Sequence, residues 1–117
     1  MKKRNILKEN REFSRIINKY KPNKNYTYIL YKEEIKEPNY YFGISVSKKV
    51  GNAVVRNKIK RQIKNMLDKN KYEGNFKCII IVKKQIIDKS FKERENDLIH
   101  ILKKSNLIKG ENRWKIK

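Results

Sequence analysis

An α+β fold is expected from the sequence: a single α/β sandwich in which helices pack on one sheet. Apolar residues recur at helical spacing over residues 10–20, 52–67 and 88–108. Runs of β-branched and aromatic residues, "YTYILYKE", "YYFGISVS" and "FKCIIIVKK", stand between them. The resulting order is helix, strands, helix, strand, helix. At 117 residues it fits one domain, and no repeat or long linker divides the chain.

The first helix follows from Phe13, Ile16, Ile17 and Tyr20 behind Asn10, a competent N-cap. Pro22 in "KPNKN" ends it. In the first strand, alternation places Tyr26, Tyr28 and Leu30 on one face and Thr27, Ile29 and Tyr31 on the other. A polar turn around Pro38, "EEIKEPN", leads to the second strand, Tyr40 to Ser47, and suggests that the two strands pair antiparallel. Gly51 marks a turn, and from Asn52 the period is helical through about Leu67. After the loop "NKYEGN" comes the apolar strand, then a helix through Phe91, Leu98, Ile99, Ile101 and Leu102. Residues 1–8 and 110–117 are expected to be flexible ends.

Lys and Arg number 32 against 12 Asp and Glu, a net charge of +20. Such an excess repels itself and is tolerated where a polyanion neutralises it, which makes nucleic acid the leading partner. A membrane is a poor rival, because apolar runs such as "CIIIV" fall far short of the roughly 20 residues that span a bilayer. The start, "MKKRNILKENREF", lacks the apolar region of a secretory signal, and the single Cys78 cannot form an internal disulfide. A cytoplasmic protein is expected, with Cys78 as a small core hydrophobe.

The charge is densest in "GNAVVRNKIKRQIK". At 100° per residue, Val55, Ile59, Ile63, Met66 and Leu67 share one face, which should pack on the sheet. Beside them Arg56, Lys60 and Lys64 stand at i, i+4 and i+8, and Asn57 and Arg61 extend the polar surface. Like charges at this spacing destabilise a helix by a few tenths of a kcal/mol per pair, and an ordinary solvated face would mix the signs. Cations held at fixed spacing suit a phosphate backbone. The aromatics Phe13, Tyr26, Tyr28, Tyr31, Tyr40, Tyr41 and Phe42 favour RNA with unpaired bases, although half or more of them could belong to the core.

Catalytic groups are not evident. Glu33, Glu34 and Glu37 bunch in a turn expected to be exposed, and His100 lies within a helix without a sequence-adjacent partner. A protein nuclease usually needs clustered carboxylates for metal ions or a His pair. With no phosphate loop, dinucleotide fingerprint or metal-ligand spacing, the chain reads as a binding component with no catalytic residues and no metal site of its own.

The segment "SVSKKVGNAVVRNKIKRQIK" closely resembles the signature of the bacterial ribonuclease P protein subunit. "KKRNILKENREF", "YILY" and "CIIIVKK" extend the resemblance over nearly the whole chain. It implies about four mixed strands and three helices in the order α-β-β-β-α-β-α, with a left-handed βαβ crossover. It also implies a protein that binds a catalytic RNA and the 5′ leader of precursor transfer RNA, needs no protein partner, and promotes magnesium-dependent endonucleolytic removal of that leader. The RNA would perform the hydrolysis and hold most of the magnesium.

Carried over by this resemblance, Arg56, Asn57, Lys60, Arg61 and Lys64 would face the RNAs, and Phe13, Ile17, Tyr28, Tyr31, Lys48 and Lys49 would line a leader-binding cleft. Ile17 stands where relatives often carry an aromatic, and offers contact without comparable stacking. Lys64 stands where Arg is common, and lacks the bidentate fork. Two other readings are a structural ribosomal protein, which would explain charge and size but not the signature, and a protein-only nuclease, which would need the constellation missing above.

Overall fold

The computed structural model describes residues 1–109. Their elements are α1 (Asn10–Lys19), β1 (Asn23–Lys24), β2 (Tyr28–Glu34), β3 (Tyr40–Val46), α2 (Ala53–Asp68), β4 (Phe76–Val82) and α3 (Phe91–Lys104). This is the expected α-β-β-β-α-β-α order.

β4 carries the longest apolar run and takes an interior place, beside β2, in a sheet ordered β1-β2-β4-β3. Phe76, Cys78, Ile79, Ile80 and Val82 are all fully buried, as a strand covered on both faces requires. β2 pairs with β4 antiparallel and β3 pairs with β4 parallel. The expected hairpin between β2 and β3 is therefore absent, because β4 lies between them. Their connection passes the start of β4, where Ile35 N donates to Asn75 O (3.1 Å) and Phe76 N donates to Asn39 O (3.3 Å). A parallel pair needs a long crossover, and α2 lies within the one that joins β3 to β4.

The two faces divide the helices. Tyr28, Leu30, Phe42, Val46, Phe76, Cys78, Ile80 and Val82 share one core with Ile59, Ile63, Met66 and Leu67 of α2 and Leu98, Ile101 and Leu102 of α3. Tyr40, Phe42, Tyr72 and Phe76 interlock there, with the Tyr40 and Phe76 rings stacked at 5.5 Å and Phe42 edge-on to Tyr72 at 4.9 Å. Tyr28, Tyr40 and Phe42 are thus core aromatics rather than an open stacking surface. Burial pushes the Cys78 thiol well above its usual pKa, so it stays protonated.

Local chemistry sets the ends. Glu9, not Asn10, caps α1, and it does so without a side-chain bond. Asn52 Oδ1 accepts from Val55 N (3.0 Å) at the start of α2. Residues Lys84–Asp88 form a 3-10 turn, and α3 starts only at Phe91, behind a capping box between Ser90 and Glu93. Asn25 Oδ1 accepts from Thr27 N (3.0 Å) and Tyr28 N (2.8 Å), closing the β1–β2 turn. Thr27 Oγ1 and Asn25 Nδ2 then tie that turn to Asp97 of α3 at 2.6 and 2.8 Å.

Within the amino-terminal segment, expected to be a flexible end, Lys3–Asn5 forms a 3-10 turn and Ile6 bridges to Phe42 of β3. Asn5 Nδ2 donates to Tyr40 O (2.8 Å) and Asn39 Oδ1 (3.0 Å), so this stretch covers part of the outer edge of β3. The other expected end, residues 110–117, lies outside the described residues.

On the opposite sheet face α1 reaches the backbone closely. A Cβ on Gly43 of β3 would lie 2.4 Å from Phe13 Cζ, so the missing side chain makes room for the ring. Gly43→Ala should destabilise the protein by about 1–3 kcal/mol in urea unfolding, through overpacking against Phe13. In a Phe13→Ala background the same change should cost nothing, and an undiminished cost there would place the strain elsewhere.

Candidate nucleic-acid interface

The crossover helix α2 presents the basic stripe. Ile59, Ile63, Met66 and Leu67 are buried and anchor it, whereas Val55, expected on that face, is 39% exposed near the amino end, where its side chain meets Gly51. Arg56, Lys60 and Lys64 are half-buried, which lays their apolar stems along the anchor and their charges outward. Asn57 and Arg61 are exposed. No ion pair among the described residues uses these four cations. Arg56 Nε is buried without a hydrogen-bond partner among them. An unsatisfied donor of this kind costs about 1–3 kcal/mol, which a move toward an outside acceptor would relieve.

On the other sheet face, the registers arrange residues in three rows. Glu33, Lys77 and Tyr41 form the first, Tyr31, Ile79 and Gly43 the second, and Ile29, Ile81 and Ser45 the third. α1 is clamped over the first row. Arg15 Nη1 and Nη2 donate to both Glu33 oxygens at 2.7 and 2.6 Å, and Tyr20 OH adds a third bond to Glu33 at 2.8 Å. Lys77 Nζ donates to Glu12 at 2.6 Å, and Arg15 also holds Glu12. Glu33 is only 7% exposed, so the carboxylate expected in an exposed turn is instead the anchor of the clamp.

Beyond the clamp the face opens. Ile79 in the second row is fully buried, while Ile29, Ile81 and Ser45 in the third are only half-buried. Phe13 of α1 lies against Gly43, Tyr31 stands in the second row, and both, like Ile17 of α1, are half-buried. Lys48 and Lys49 follow β3 on an exposed 3-10 turn at the open end. Lys83 and Lys84, not among the expected residues, follow β4 at the same end, and their position after an apolar strand was the available signal.

Tyr28 is a correction to the expected cleft. It alternates with Tyr31 and points to the opposite face, where it is fully buried and its hydroxyl donates to Arg94 O of α3 (2.9 Å). Burial accordingly raises its pKa above the usual phenol value.

The stripe and the cleft are neighbours around β3, the edge strand. A groove of about 390 Å³ is lined by Phe13 from the cleft side, Ile44, Ser45 and Val46 from the strand, Lys60 and Lys64 from the stripe, and Met1, Ile6, Leu7 and Lys8 from the amino-terminal segment. An apolar floor between a ring and two ammonium groups suits a polyanion with flat, apolar bases.

The sequence model of the ribonuclease P family matches residues 1–106. The chain belongs to the ribonuclease P protein family. It is 38% identical over 110 residues to the ribonuclease P protein component of Bacillus mycoides, spanning 92% of this chain and 96% of that one. The structure of the Staphylococcus aureus RNase P protein is similar, with a TM-score of 0.81 at 34% identity, over 90% of this chain and 98% of the other. That of Thermotoga maritima gives a TM-score of 0.76 at 25% identity, over 89% and 97%. The family places the chain in a ribonucleoprotein endoribonuclease of transfer RNA processing, with an RNA subunit as partner.

For a ribonuclease P protein, the clamp holds α1 at a set height over the sheet, and it should be sensitive to acid. The hydrogen bond from Arg15 chiefly lowers Glu33 from 4.5 to about 2, and hydrogen bonds from Arg15 and then Lys77 do the same for Glu12. Both pKa values are depressed on folding, so the stabilisation is complete above the unfolded value near 4.5 and is lost as pH falls toward 2. Urea midpoints should decline over that window, and Glu33→Gln should lower the midpoint at pH 7 while making the decline shallower. An equally steep decline in Glu33→Gln would assign the acid sensitivity to other groups.

Proposed function

We propose that this chain is the protein subunit of a ribonuclease P holoenzyme that binds a catalytic RNA and the single-stranded 5′ leader of precursor transfer RNA. The observation that carries this reading is the unneutralised stripe of α2 adjoining the cleft across one edge strand. Two RNA surfaces can meet there without a carboxylate between them. Arg56, Asn57, Lys60, Arg61 and Lys64 contact phosphates of the catalytic RNA and of the transfer RNA near the cleavage site. Phe13 and Tyr31 stack on leader bases, Ile17 adds apolar contact, and Lys48 and Lys49 offset leader phosphates.

The hydrolysis belongs to the RNA in this reading. Magnesium is its cofactor, held mainly by phosphate oxygens. Among the described residues no group of three or more His, Cys, Asp or Glu is placed to hold a metal ion. Glu12 and Glu33 are engaged in the clamp. The chain's own residues screen the repulsion between two RNAs and hold the leader in register. This work suits the cytoplasm, and no described helix is long and apolar enough to cross a membrane.

Mixed with a bacterial ribonuclease P RNA at low magnesium, the protein should stimulate cleavage of a precursor transfer RNA; no gain over RNA alone would sink the reading. Arg56→Ala combined with Arg61→Ala should weaken association with the RNA. It should also reduce the slope of log affinity against log salt by about 0.9 for each phosphate that is no longer neutralised, as for a duplex. An unchanged slope would mean that the stripe faces solvent.

The cleft can be tested separately. Phe13→Ala or Tyr31→Ala should cost about 1–3 kcal/mol of affinity for leader-bearing substrate and far less for mature transfer RNA. Tyr28→Ala should lower thermal stability without this leader selectivity. A leader-selective loss in Tyr28→Ala would return that residue to the cleft.

A further inference from the structure

Tyr26 is large, aromatic and 58% exposed, yet it is not on a loose loop. The turn that carries it is closed by Asn25 and tied through Thr27 and Asn25 to Asp97 of α3. It is tied to the end of β4 as well, where Lys83 N donates to Thr27 O (2.9 Å) and Lys83 Nζ to Asn25 O (3.3 Å). Lys89 Nζ sits over the Tyr26 ring, 4.7 Å from its centroid. One ring face is thereby held by a cation, and the exposure leaves area for a second flat partner. A rigid, solvated aromatic ring with a cation behind it has the makings of a stacking platform for a nucleobase.

Its place in the fold supplies the ligand. The turn lies where β2 begins and β4 ends, next to the third row of the cleft and at the end that carries Lys48, Lys49, Lys83 and Lys84. None of those four lysines, nor Lys89, forms an ion pair among the described residues. Asp88 adjoins Lys89 in sequence, and Glu93 follows four residues on. Glu93 caps α3 through Ser90 and keeps its carboxylate ionised, in lesser part through Lys89. The ring lies beside Lys89 at the start of α3, the helix packed on the face opposite the cleft, so a single strand leaving the cleft at this end would pass the lysines and round the end of the sheet to reach it.

We infer that Tyr26, backed by Lys89, stacks on a base of the 5′ leader beyond the cleft, so that the protein reads leader length as well as leader presence. This rests on the cleft holding the leader, as proposed above. Tyr26 is a binding residue here and takes no part in the chemistry.

The test uses holoenzyme reconstituted with a bacterial ribonuclease P RNA and precursor transfer RNAs whose leaders lengthen one nucleotide at a time. In the wild type, affinity should rise with leader length in a late step, and Tyr26→Ala should abolish that step, a loss of about fivefold or more. Short-leader and mature substrates should be unaffected, and Tyr26→Phe should retain the step. 2-Aminopurine placed along the leader should be quenched at one distal position in the wild type and not in Tyr26→Ala. Phe13→Ala serves as the control for the cleft and should lower affinity even for short leaders.

If Phe13→Ala responds to the leader and Tyr26→Ala does not, the inference falls and the cleft stands. If neither responds, both fall. An equal loss in Tyr26→Ala at every leader length, mature transfer RNA included, would assign the ring to folding or to the catalytic RNA and overturn the inference.

Discussion

The pairing of β4 on both of its edges is the constraint from which the rest follows. Its apolar run needs cover on two faces and backbone partners on two sides. β2 supplies one partner antiparallel and β3 the other in parallel. The parallel partner requires a crossover, and that crossover contains α2. The helix bearing the charge is therefore held by the covalent path of the sheet, and four buried apolar side chains lock its rotation. A stripe fixed in this way presents its cations at set intervals, which a flexible basic tail could not do.

The acids are distributed to match. Glu12 and Glu33 clamp α1, Asp97 holds the β1–β2 turn, Glu93 caps α3, and Glu95 pairs with Lys69 at the far end of α2. Each serves an internal joint, and α2 carries no carboxylate before Asp68. A chain with 32 cations and 12 anions cannot neutralise itself, but it can choose where the excess appears. Part of it appears along one helix and at one end of the sheet, where an RNA would relieve the self-repulsion.

Much of this was legible in the sequence, because periodicity reports burial. The alternation in β2, the continuous run in β4 and the 3.6 period of α2 led to the right elements and the right faces. What the sequence hid was pairing. A short polar connection around Pro38 resembles a hairpin, and nothing local says that β4, far along the chain, will come between the two strands. The same limit applies to Tyr28. Alternation separated it from Tyr31, but which face would open to a ligand depended on where α1 and α3 packed. Glu33 was misplaced for a related reason, since its partner Arg15 lies on another element.

Under the proposed reading a small sandwich serves two RNA surfaces, and the sheet geometry allows it. A sheet has two faces, and here α2 and α3 take one while α1 takes part of the other. Were α1 centred, the second face would be closed; the Arg15–Glu33 and Lys77–Glu12 pairs hold it at the first row instead. The third row remains as a floor, and Gly43 lets the Phe13 ring lie low enough to wall it. Since β3 is an edge strand, the floor and the α2 stripe are separated by that strand, about 5 Å wide, and by the amino-terminal segment along part of its outer edge. In the proposed reading, that proximity brings the stacking residues and the phosphate-binding residues within reach of neighbouring nucleotides. Both depend on the same strand order, so a change that moved β3 from the edge would remove them together.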